Sequence, residues 1–234
     1  MSDKADLSAW VGPDYPDFPT LQGRYARLER LRADRHSADL FRANSESDAI
    51  WDYLPYGPFR RLEAYQDWIN RDWAGQNTVF YAVKDLEKGH FSGVASYLRI
   101  KPQIGVIEVG HINFSPALQR SRAATEAMYL MMRWVFEAGY RRYEWKCDAA
   151  NRASRAAAQR LGFSYEGIFR QAAIVKGRNR DTAWFAMIDR EWPALNAAFQ
   201  HWLSPENFDT RGRQIKSLSD LTCGVLVAKD PQAG

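Results

Sequence analysis

The sequence predicts a mixed α/β (α+β) domain built around a mostly antiparallel sheet, and the order of its apolar patterns supports this fold class. Three strand-like runs, separated by short turn-forming segments, lie at residues 77–84, 91–100 and 105–114, as expected for antiparallel neighbours. The period then changes to that of a helix at 123–138, and another strand follows at 142–149. A strand–helix–strand connection within one sheet makes its two strands parallel. One parallel pair is therefore predicted inside the sheet.

The length of 234 residues suits one sizeable core, and we divide the chain into three segments. Residues 1–20 contain three prolines and are predicted to form an extended lead-in. Residues 21–203 hold the strong strand and helix patterns and are predicted to form a single domain. Residues 204–234 are polar and rich in turn-forming residues, which is typical of a C-terminal tail.

One strand and two helices are predicted before the three-strand run. The strand lies at 23–31. Ser37 is predicted to cap a short helix that ends at Phe41, because serine is a preferred N-cap residue. A second helical stretch covers 59–73.

The clearest helix is predicted at 123–138. Apolar residues recur there at the spacing of one helix face, at Ala124, Ala127, Met128, Met131, Val135 and Ala138. The residues between them are mostly polar and are predicted to point away from the core, namely Thr125, Glu126, Tyr129, Arg133 and Glu137. Gly139 follows as a helix stop.

The remaining elements alternate between strand and helix. They are a strand at 142–149, a helix at 151–161, strands at 164–176 and 181–188 joined by a turn at 177–179, and a helix at 193–203. The strand at 181–188 is predicted to lie at an edge of the sheet. An edge strand is available to pair with a second copy of the chain, so a homodimer is possible.

Composition and charge exclude several classes of protein. No run approaches the ~20 apolar residues of a membrane helix, and the polar N-terminus does not resemble a secretory signal, so we expect a cytoplasmic protein without a membrane partner. Cys147 and Cys223 are far apart and belong to no Cys/His cluster, so no metal site is predicted. The net charge of +4 favours an anionic partner such as a nucleotide phosphate, but taken alone it is better explained by scattered solvated arginines. No nucleic-acid partner is predicted, because no recognition motif is present.

A phosphate-binding helix start is predicted after the third strand. The strand ends near Phe114, Pro116 interrupts the ladder, and a helix begins near Ser121. The free N–H groups of a helix's first turn, together with its dipole, attract anions. Arg120 and Arg122 beside these groups suit a pyrophosphate. By position alone, a basic helix start without a ligand is equally consistent.

Four motifs follow one another between residues 110 and 170, namely GHINFSP, LQRSRAATEAM, NRASRAAAQRLGF and YEGIFR. In this order they resemble the GNAT superfamily of acetyl-CoA-dependent N-acetyltransferases, most closely the RimJ/RimL branch of ribosomal-protein N-terminal acetyltransferases. The resemblance covers 21–192 and implies a mostly antiparallel twisted sheet flanked by helices, with a central parallel strand pair. It also implies transfer of an acetyl group from acetyl-CoA to a primary amine, either a protein or peptide N-terminus or a small molecule.

The resemblance implies that acetyl-CoA binds where the third strand passes into the following helix. The residues implied are Asn113, Phe114, Gln119, Arg120, Ser121, Arg122, Ala123, Ala124, Thr125 and Asn151. Arg122 departs from the family pattern, which has glycine at this place. Glycine lets the backbone approach phosphates closely, whereas arginine adds a guanidinium that suits phosphate. Asn151 is implied to contact the pantetheine arm, and its residue type equally suits a helix cap.

Transfer to an amine needs a base for the ammonium and an acid for the leaving thiolate. The resemblance implies Ser154 near the CoA sulfur as the acid, although serine is also a common cap. Glu108, within the apolar run VIEVG, is the predicted base, directly or through water. Its alternative role is a cross-strand salt bridge to an arginine. His111 is the competing base, but alternation places it on the face opposite Glu108 unless a bulge at Gly110 brings it round.

Three further features receive less specific predictions. Cys147 lies inside a strand without a base beside it in sequence, so it is predicted to be buried rather than nucleophilic. Arg155 is predicted to be solvated, with a phosphate contact as the alternative. The aromatic segment at 51–59 is predicted to be mostly core, and it could also grip the acceptor.

Two other functions compete with catalysis. A non-catalytic acyl-CoA-binding sensor is the main alternative, because Arg122 replaces the loop glycine. A nucleic-acid-binding protein is the third, based on the basic charge and the many aromatic residues. The arginines form no long stripe, which argues against it.

Overall fold

A single eight-stranded sheet forms the centre of the protein in the computed structural model, which describes residues 6–71, 73 and 76–232. In chain order the strands are β1 (Thr20–Gln22), β2 (Ala26–Arg30), β3 (Thr78–Asp85), β4 (Phe91–Lys101), β5 (Val106–Phe114), β6 (Arg142–Asp148), β7 (Ser164–Val175) and β8 (Arg178–Ile188). Their order across the sheet is β1-β2-β3-β4-β5-β6-β8-β7. Only β5 and β6 pair in parallel. The predicted fold class, a mostly antiparallel sheet with one parallel pair and flanking helices, is confirmed.

Six α-helices flank the described part of the sheet. They are α1 (Ala33–Asn44), α2 (Leu62–Ile69), α3 (Arg122–Glu137), α4 (Arg152–Arg160), α5 (Trp192–Leu203) and α6 (Leu218–Thr222). The bounds of α3, α4 and α5 closely match the helices predicted from sequence. Because α3 connects β5 to β6, it is the crossover that makes these two strands parallel.

The two faces of the sheet are covered by different helices. On the first, here called the α3 face, Ile107 and Val109 of β5 pack in the main core with Met131 of α3. On the opposite face, here called the α1 face, Phe80 of β3 packs with Leu40 of α1 in a second apolar cluster. Successive residues of a strand point to opposite faces. The side chain between Ile107 and Val109 therefore points to the α1 face, and the side chains on either side of Phe80 point to the α3 face.

The polar side of α3 is more buried than its pattern predicts. Thr125, Glu126 and Tyr129 are all buried rather than pointing away from the core. Glu126 accepts hydrogen bonds from the backbone N–H groups of Tyr25 and Ala26, at 2.5 and 2.7 Å. A carboxylate that satisfies several backbone donors is stable in such a position. Glu126 thus ties α3 to the start of β2.

The first helix begins earlier than predicted. Ser37 lies inside α1 and is buried, and its hydroxyl accepts a hydrogen bond from Gln66 of α2 at 3.0 Å. The N-cap is Arg32, whose side chain makes no capping hydrogen bond. The predicted cap at Ser37 was therefore wrong, because the helix starts without the side-chain signal on which the prediction relied. Within the predicted stretch 59–73, α2 occupies 62–69, and residue 72 lies outside the described residues.

The edge strand of the sheet is β7, not β8. The latter pairs with β6 on one side and with β7 on the other. The prediction of an edge strand at 181–188 was therefore wrong. Within the β7–β8 hairpin it is the second strand, β8, that pairs with β6, so the first strand, β7, lies at the edge.

The segments before and after the predicted domain both contact it. Phe18 stacks on Tyr81 with ring centroids 4.7 Å apart, and Leu218 of α6 lies in the main core. Residues 1–5 of the predicted lead-in and 233–234 of the predicted tail lie outside the described residues. The division into lead-in, domain and tail remains a prediction.

Candidate active site

A crevice opens where the two parallel strands separate. β5 and β6 pair only from Val106 with Arg142 to Val109 with Trp145, yet β5 continues to Phe114 and β6 to Asp148. Helices α3 and α4 begin shortly after these two strand ends. Ligands of sheets with parallel strands bind at the carboxyl ends of neighbouring strands, next to the starts of the following helices. The predicted site residues come from these two strands and from the two helix starts.

The start of α3 has the geometry of an anion site. Ser121 is the N-cap, and its hydroxyl accepts a hydrogen bond from the backbone N–H of Ala124 at 2.9 Å. Gln119 donates to the carbonyl of Phe114 at 2.9 Å, which fixes the turn between strand and helix. Arg120 is exposed and has a φ of 58°, a left-handed conformation that non-glycine residues adopt infrequently.

The guanidinium of Arg122 already has protein partners. It donates to Glu87 at 2.7 Å and lies 4.8 and 5.0 Å from the ring centroids of Tyr25 and Phe208. Binding a phosphate through this side chain would therefore compete with Glu87. The replacement of the family's glycine by arginine thus leaves a cation at the loop, held by an acidic neighbour.

The end of β5 presents an unpartnered polar atom. Asn113 is buried, and its Oδ1 has no hydrogen-bond partner among the described residues. The neighbouring Phe114 packs against the main core. Ala123, Ala124 and Thr125 follow in the first turn of α3 and are buried. A buried polar atom without a partner is costly, which is consistent with an unfilled position at the strand end.

The start of α4 brings the predicted acid close to β6. Asn151 is the N-cap and accepts a hydrogen bond from the N–H of Ser154 at 3.0 Å, so its capping role is present. The hydroxyl of Ser154 accepts a hydrogen bond from the indole of Trp145 at 3.0 Å. Cys147 is buried, and burial raises the pKa of its thiol to about 11, which does not suit a nucleophile.

Arg155 is neither solvated nor near a free surface, and both predictions for it were wrong. Its side chain is almost fully buried and donates to both carboxylate oxygens of Asp230, at 2.7 and 2.5 Å. It also donates to the carbonyl of Ala149 and to Gln232, both at 2.8 Å. Its partner lies in the C-terminal segment, far away in sequence, where no local pattern indicates it.

Glu108 lies on the α1 face and has two cationic partners. It is buried, with Arg99 at 2.6 Å and Lys146 at 2.8 Å from its two oxygens. Lys146 also contacts Glu144, at 2.8 Å, and lies 3.8 Å from the ring centroid of Trp184. The cross-strand bridge to an arginine, foreseen as the alternative for Glu108, is thus present. Its role as base remains a prediction.

A bulge in β5 brings His111 to the same face as Glu108. Ser96 pairs with Gly110 and Val94 with Asn113, so β5 has one residue more than β4 in this interval, and His111 has a φ of 50°. The placement expected from simple alternation was therefore wrong, because a bulge shifts the register by one residue.

The imidazole of His111 is enclosed by aromatic rings. Its Nδ1 lies 2.9 Å from the hydroxyl of Tyr56, and the two rings are stacked. Burial, together with the charges of Arg99 and Arg180, lowers the pKa of His111 to about 4. The ring is therefore neutral at physiological pH.

The aromatic segment at 51–59 is partly core and partly a bridge across the crevice. Trp51 is buried in the second apolar cluster, and its backbone carbonyl accepts a hydrogen bond from Lys176, near the tip of the β7–β8 hairpin, at 2.9 Å. Tyr53 is exposed, and its hydroxyl donates to the carbonyl of Ala150 at 3.3 Å. The segment thereby connects the hairpin to the turn before α4.

Several residues of this region were not singled out from sequence. They are Arg99, Lys146, Arg180, Trp184 and Asp230. All but Asp230 lie on strands around Glu108. Alternation along β8 could have placed Arg180 and Trp184 on one face, but their neighbourhood depends on strand order, which the sequence does not give.

The described residues contain neither a membrane-spanning helix nor a cluster of metal ligands. No helix in this part of the chain is long and apolar enough to cross a membrane. No group of three or more His, Cys, Asp or Glu residues among them could hold a metal ion.

Comparison with known proteins assigns the family. The profile of the acetyltransferase (GNAT) domain matches residues 26–164. The crystal structure of a GCN5-related N-acetyltransferase from Brucella melitensis is 44% identical, with a TM-score of 0.88 over 93% of this chain and 100% of that one. A search of curated proteins found no match. The chain belongs to the GNAT acetyltransferase family.

Two further structures show how far the similarity extends. A probable acetyltransferase of the GNAT family from Chromobacterium violaceum is 43% identical, with a TM-score of 0.77 over 83% of this chain and 98% of that one. The ribosomal L7/L12 α-N-protein acetyltransferase RimL is 20% identical, with a TM-score of 0.63 over 72% of this chain and 93% of that one. At that identity RimL shares the fold, and the RimJ/RimL branch remains a prediction.

Proposed function

We propose that the protein transfers an acetyl group from acetyl-CoA to a primary amine by direct attack in a ternary complex. The observation that supports this most is the crevice between β5 and β6, with the capped start of α3 at its mouth in a chain of the GNAT family. GNAT acetyltransferases use acetyl-CoA as donor. Holding both reactants in one crevice makes the attack effectively unimolecular, which is the main source of rate in such transfers.

The donor lies with its phosphates at the start of α3 in this proposal. The first turn of α3, from Ser121 to Thr125, would bind the pyrophosphate through the N–H groups of Arg122 and Ala123, together with the side chains of Gln119, Arg120 and Arg122. Asn113, Phe114 and Asn151 would line the path of the pantetheine arm towards the crevice. The unpartnered Oδ1 of Asn113 supports a polar contact there.

Glu108 is the proposed base and Ser154 the proposed acid. Glu108 lies beside the point where the strands separate and can take a proton from the ammonium directly or through water. His111 is the alternative base, and burial with the charges of Arg99 and Arg180 lowers its pKa to about 4. Ser154 accepts a hydrogen bond from Trp145, and its own hydroxyl hydrogen would be the proton given to the departing thiolate.

Thiol release from acetyl-CoA across a panel of amines, N-terminal peptides and amino sugars tests this proposal. We expect turnover with at least one acceptor, and a loss of about 100-fold or more in kcat for Glu108→Gln. Glu144→Gln is the matched control, because Glu144 shares Lys146 with Glu108 and faces it across β5 and β6. Equal losses in the two variants would mean that the charge network, rather than a base at Glu108, is required.

A sensor that binds acyl-CoA without turnover is the second candidate. The ion pair between Arg122 and Glu87 supports it, since it occupies a side chain of the phosphate loop. Saturable binding of acetyl-CoA by calorimetry, with no thiol release for any acceptor, would favour the sensor. Absence of binding would exclude both functions.

We also propose a cytoplasmic location, no metal requirement, and no nucleic-acid or membrane partner. The acceptor is either a protein or peptide N-terminus or a small-molecule amine. Fold alone does not fix the acceptor. A homodimer would use the exposed edge strand β7 rather than β8, and light scattering of the purified protein would test it.

A further inference from the structure

Part of the α1 face carries functional side chains and is covered by no α-helix of the described residues. Helix α1 packs on β4, on the α1 face, whereas α3, α4 and α5 contribute to the main core on the α3 face. Around Glu108, this face is therefore formed by side chains of the strands themselves. Lys146 of β6 and Trp184 of β8 are direct cross-strand partners there, and Lys146 binds Glu108.

Strand β8 adds two hydrogen-bond donors to this surface. Ala183 and Phe185 lie in the main core, so alternation places Arg180 and Trp184 together on the α1 face. Nε of Arg180 and Nε1 of Trp184 are buried and have no hydrogen-bond partner among the described residues. Both groups can only donate. Buried donors normally have an acceptor, so both groups are available to donate to a ligand.

The neighbouring carboxylates do not supply that acceptor. Glu108 binds Arg99 and Lys146, and Glu144 binds Arg142 and Lys146. The carboxylate of Asp181 accepts from the backbone N–H of Gln171 at 2.7 Å and from Asn179 at 3.0 Å. These three carboxylates are thus occupied by other partners, and none of them pairs with Arg180.

Arg180 also lies at the end of the sheet where β5 and β6 separate, because Asp148 at the end of β6 pairs with Thr182 of β8. Its positive charge contributes to the lowered pKa of His111 on β5 and acts on Cys147 of β6 as well, so it lies within electrostatic reach of both separating strands. Lys176 and Tyr53 anchor the segment at 51–59 beside it. A wide depression of about 900 Å³ runs along the hairpin to Phe169, whose ring centroid is 4.5 Å from that of Trp184. The depression is lined by Asn179 and Asp181, the sequence neighbours of Arg180, rather than by the two donors themselves.

We infer that Arg180 and Trp184 form a subsite for an anionic group of the acceptor, so that the acceptor is an amine that also carries a carboxylate or a phosphate. This inference rests on the proposed acetyl transfer to an amine. The anion would accept hydrogen bonds from the guanidinium and the indole, and the amine would point towards Glu108. Such charge-assisted hydrogen bonds are strong in a half-buried site.

A binding experiment tests the subsite without any turnover. The protein, labelled with ¹⁵N and saturated with CoA to block the phosphate loop, is titrated with acetate and, separately, with inorganic phosphate. The indole N–H resonance of Trp184 is assigned with Trp184→Phe. We expect a saturable shift of this resonance. The anion that binds more tightly identifies the chemistry of the ligand. The affinity for that anion should be at least tenfold lower in Arg180→Gln.

Arg190→Gln is the matched control. It removes the same charge from an exposed turn just after the opposite end of β8 and should leave the titration unchanged. Thermal melting of both variants checks that they fold. No shift with either anion, or an equal response in the wild type and in Arg180→Gln, would overturn the subsite.

Matched acceptor pairs then test the substrate class. We expect kcat/KM to be at least tenfold higher for tyrosine than for tyramine, or for phosphoethanolamine than for ethanolamine. Arg180→Gln should remove this preference, mainly through KM for the acceptor. An equal loss for both members of a pair would place Arg180 elsewhere in the reaction and contradict the inference. An anion response without acetylation of any amine would leave the subsite standing and count against the proposed function.

Discussion

Arg155 and Asp230 form a buried ion pair that joins the first turn of α4 to the C-terminal segment. Two nitrogens of the guanidinium donate to the two carboxylate oxygens, and both side chains are almost completely inaccessible to solvent. The backbone N–H of Asp230 donates to Gln159 near the end of the same helix at 2.7 Å. Burial alone would raise the pKa of Asp230, but the hydrogen bonds from Arg155 and from the backbone of Gln232 hold it below its ordinary value.

Asp230→Ala should lower the free energy of unfolding by about 3–5 kcal/mol, because it leaves the charge of Arg155 buried without a partner. Thermal and urea denaturation measure the loss. Glu137→Ala is the control, since it removes an exposed pair with Arg133 at 3.9 Å, and such pairs contribute little. A loss no larger than that of the control would mean that water replaces Asp230 easily.

The same pair should position Ser154, which precedes Arg155 in the chain. Ser154→Ala is expected to lower kcat about 100-fold if the hydroxyl is the acid. Asp230→Asn should lower kcat severalfold in the wild-type background and have no effect on kcat in the Ser154→Ala background. Non-additivity of this kind indicates that two residues act through one another. If the two effects on kcat multiply, Asp230 acts on activity only through overall stability.

A spectroscopic readout separates positioning from stability. The indole N–H of Trp145 donates to Ser154, so its resonance reports where that hydroxyl lies. Asp230→Asn should shift this resonance at a temperature where the variant is fully folded. An unchanged resonance would contradict a positioning role even if kcat falls.

The order of the elements could be predicted because it depends on local patterns. The helical period at α3, the alternation at β4 and the β-branched and aromatic residues of β3 are each complete within a single segment of sequence, and the succession of these elements determines the parallel pair. The start of α3 near Ser121 could also be predicted, and the structure shows that Ser121 is its N-cap, bonded to the N–H of Ala124. The start of α1 could not be predicted, because Arg32 makes no capping hydrogen bond with its side chain.

The neighbourhoods in the candidate site could be predicted only in part. His111 changes face through a bulge, and alternation assumes an unbroken ladder. The partners of Glu108 lie on β4 and β6, so the cross-strand arginine was foreseeable but its identity was not. Asp230 lies 75 residues from Arg155, and nothing in a single sequence connects two such positions.

Glu87→Gln should tighten the binding of acetyl-CoA. Glu87 holds the guanidinium of Arg122 at 2.7 Å, and a phosphate at the loop would have to displace it. A partly exposed pair contributes at most about 1 kcal/mol, so the expected gain is up to about fivefold in Kd, measured by calorimetry. Arg122→Gln should weaken binding. Unchanged affinity in both variants would show that Arg122 does not contact the phosphates.

His111 should contribute to stability in a defined pH window. Burial and the nearby arginines lower its pKa from 6.5 to about 4 in the folded protein. Because the unfolded chain takes up this proton first, the contribution is fully present above pH 6.5 and is lost as the pH falls from there towards 4. His111→Gln should therefore flatten the fall in stability across this window, as measured by urea denaturation at a series of pH values.

His36 provides a comparison for His111 below pH 6.5. It is fully buried, and burial lowers its pKa as well. The His111→Gln variant should therefore retain part of the acid sensitivity of the wild type, and the double variant with His36→Gln should lose that part. Activity offers a second check on His111. A neutral imidazole with a pKa near 4 cannot produce a kinetic pKa between 6 and 8, so any such limb in kcat/KM should persist in His111→Gln. Disappearance of that limb would identify His111 as a proton acceptor in the reaction and would displace Glu108 from that role.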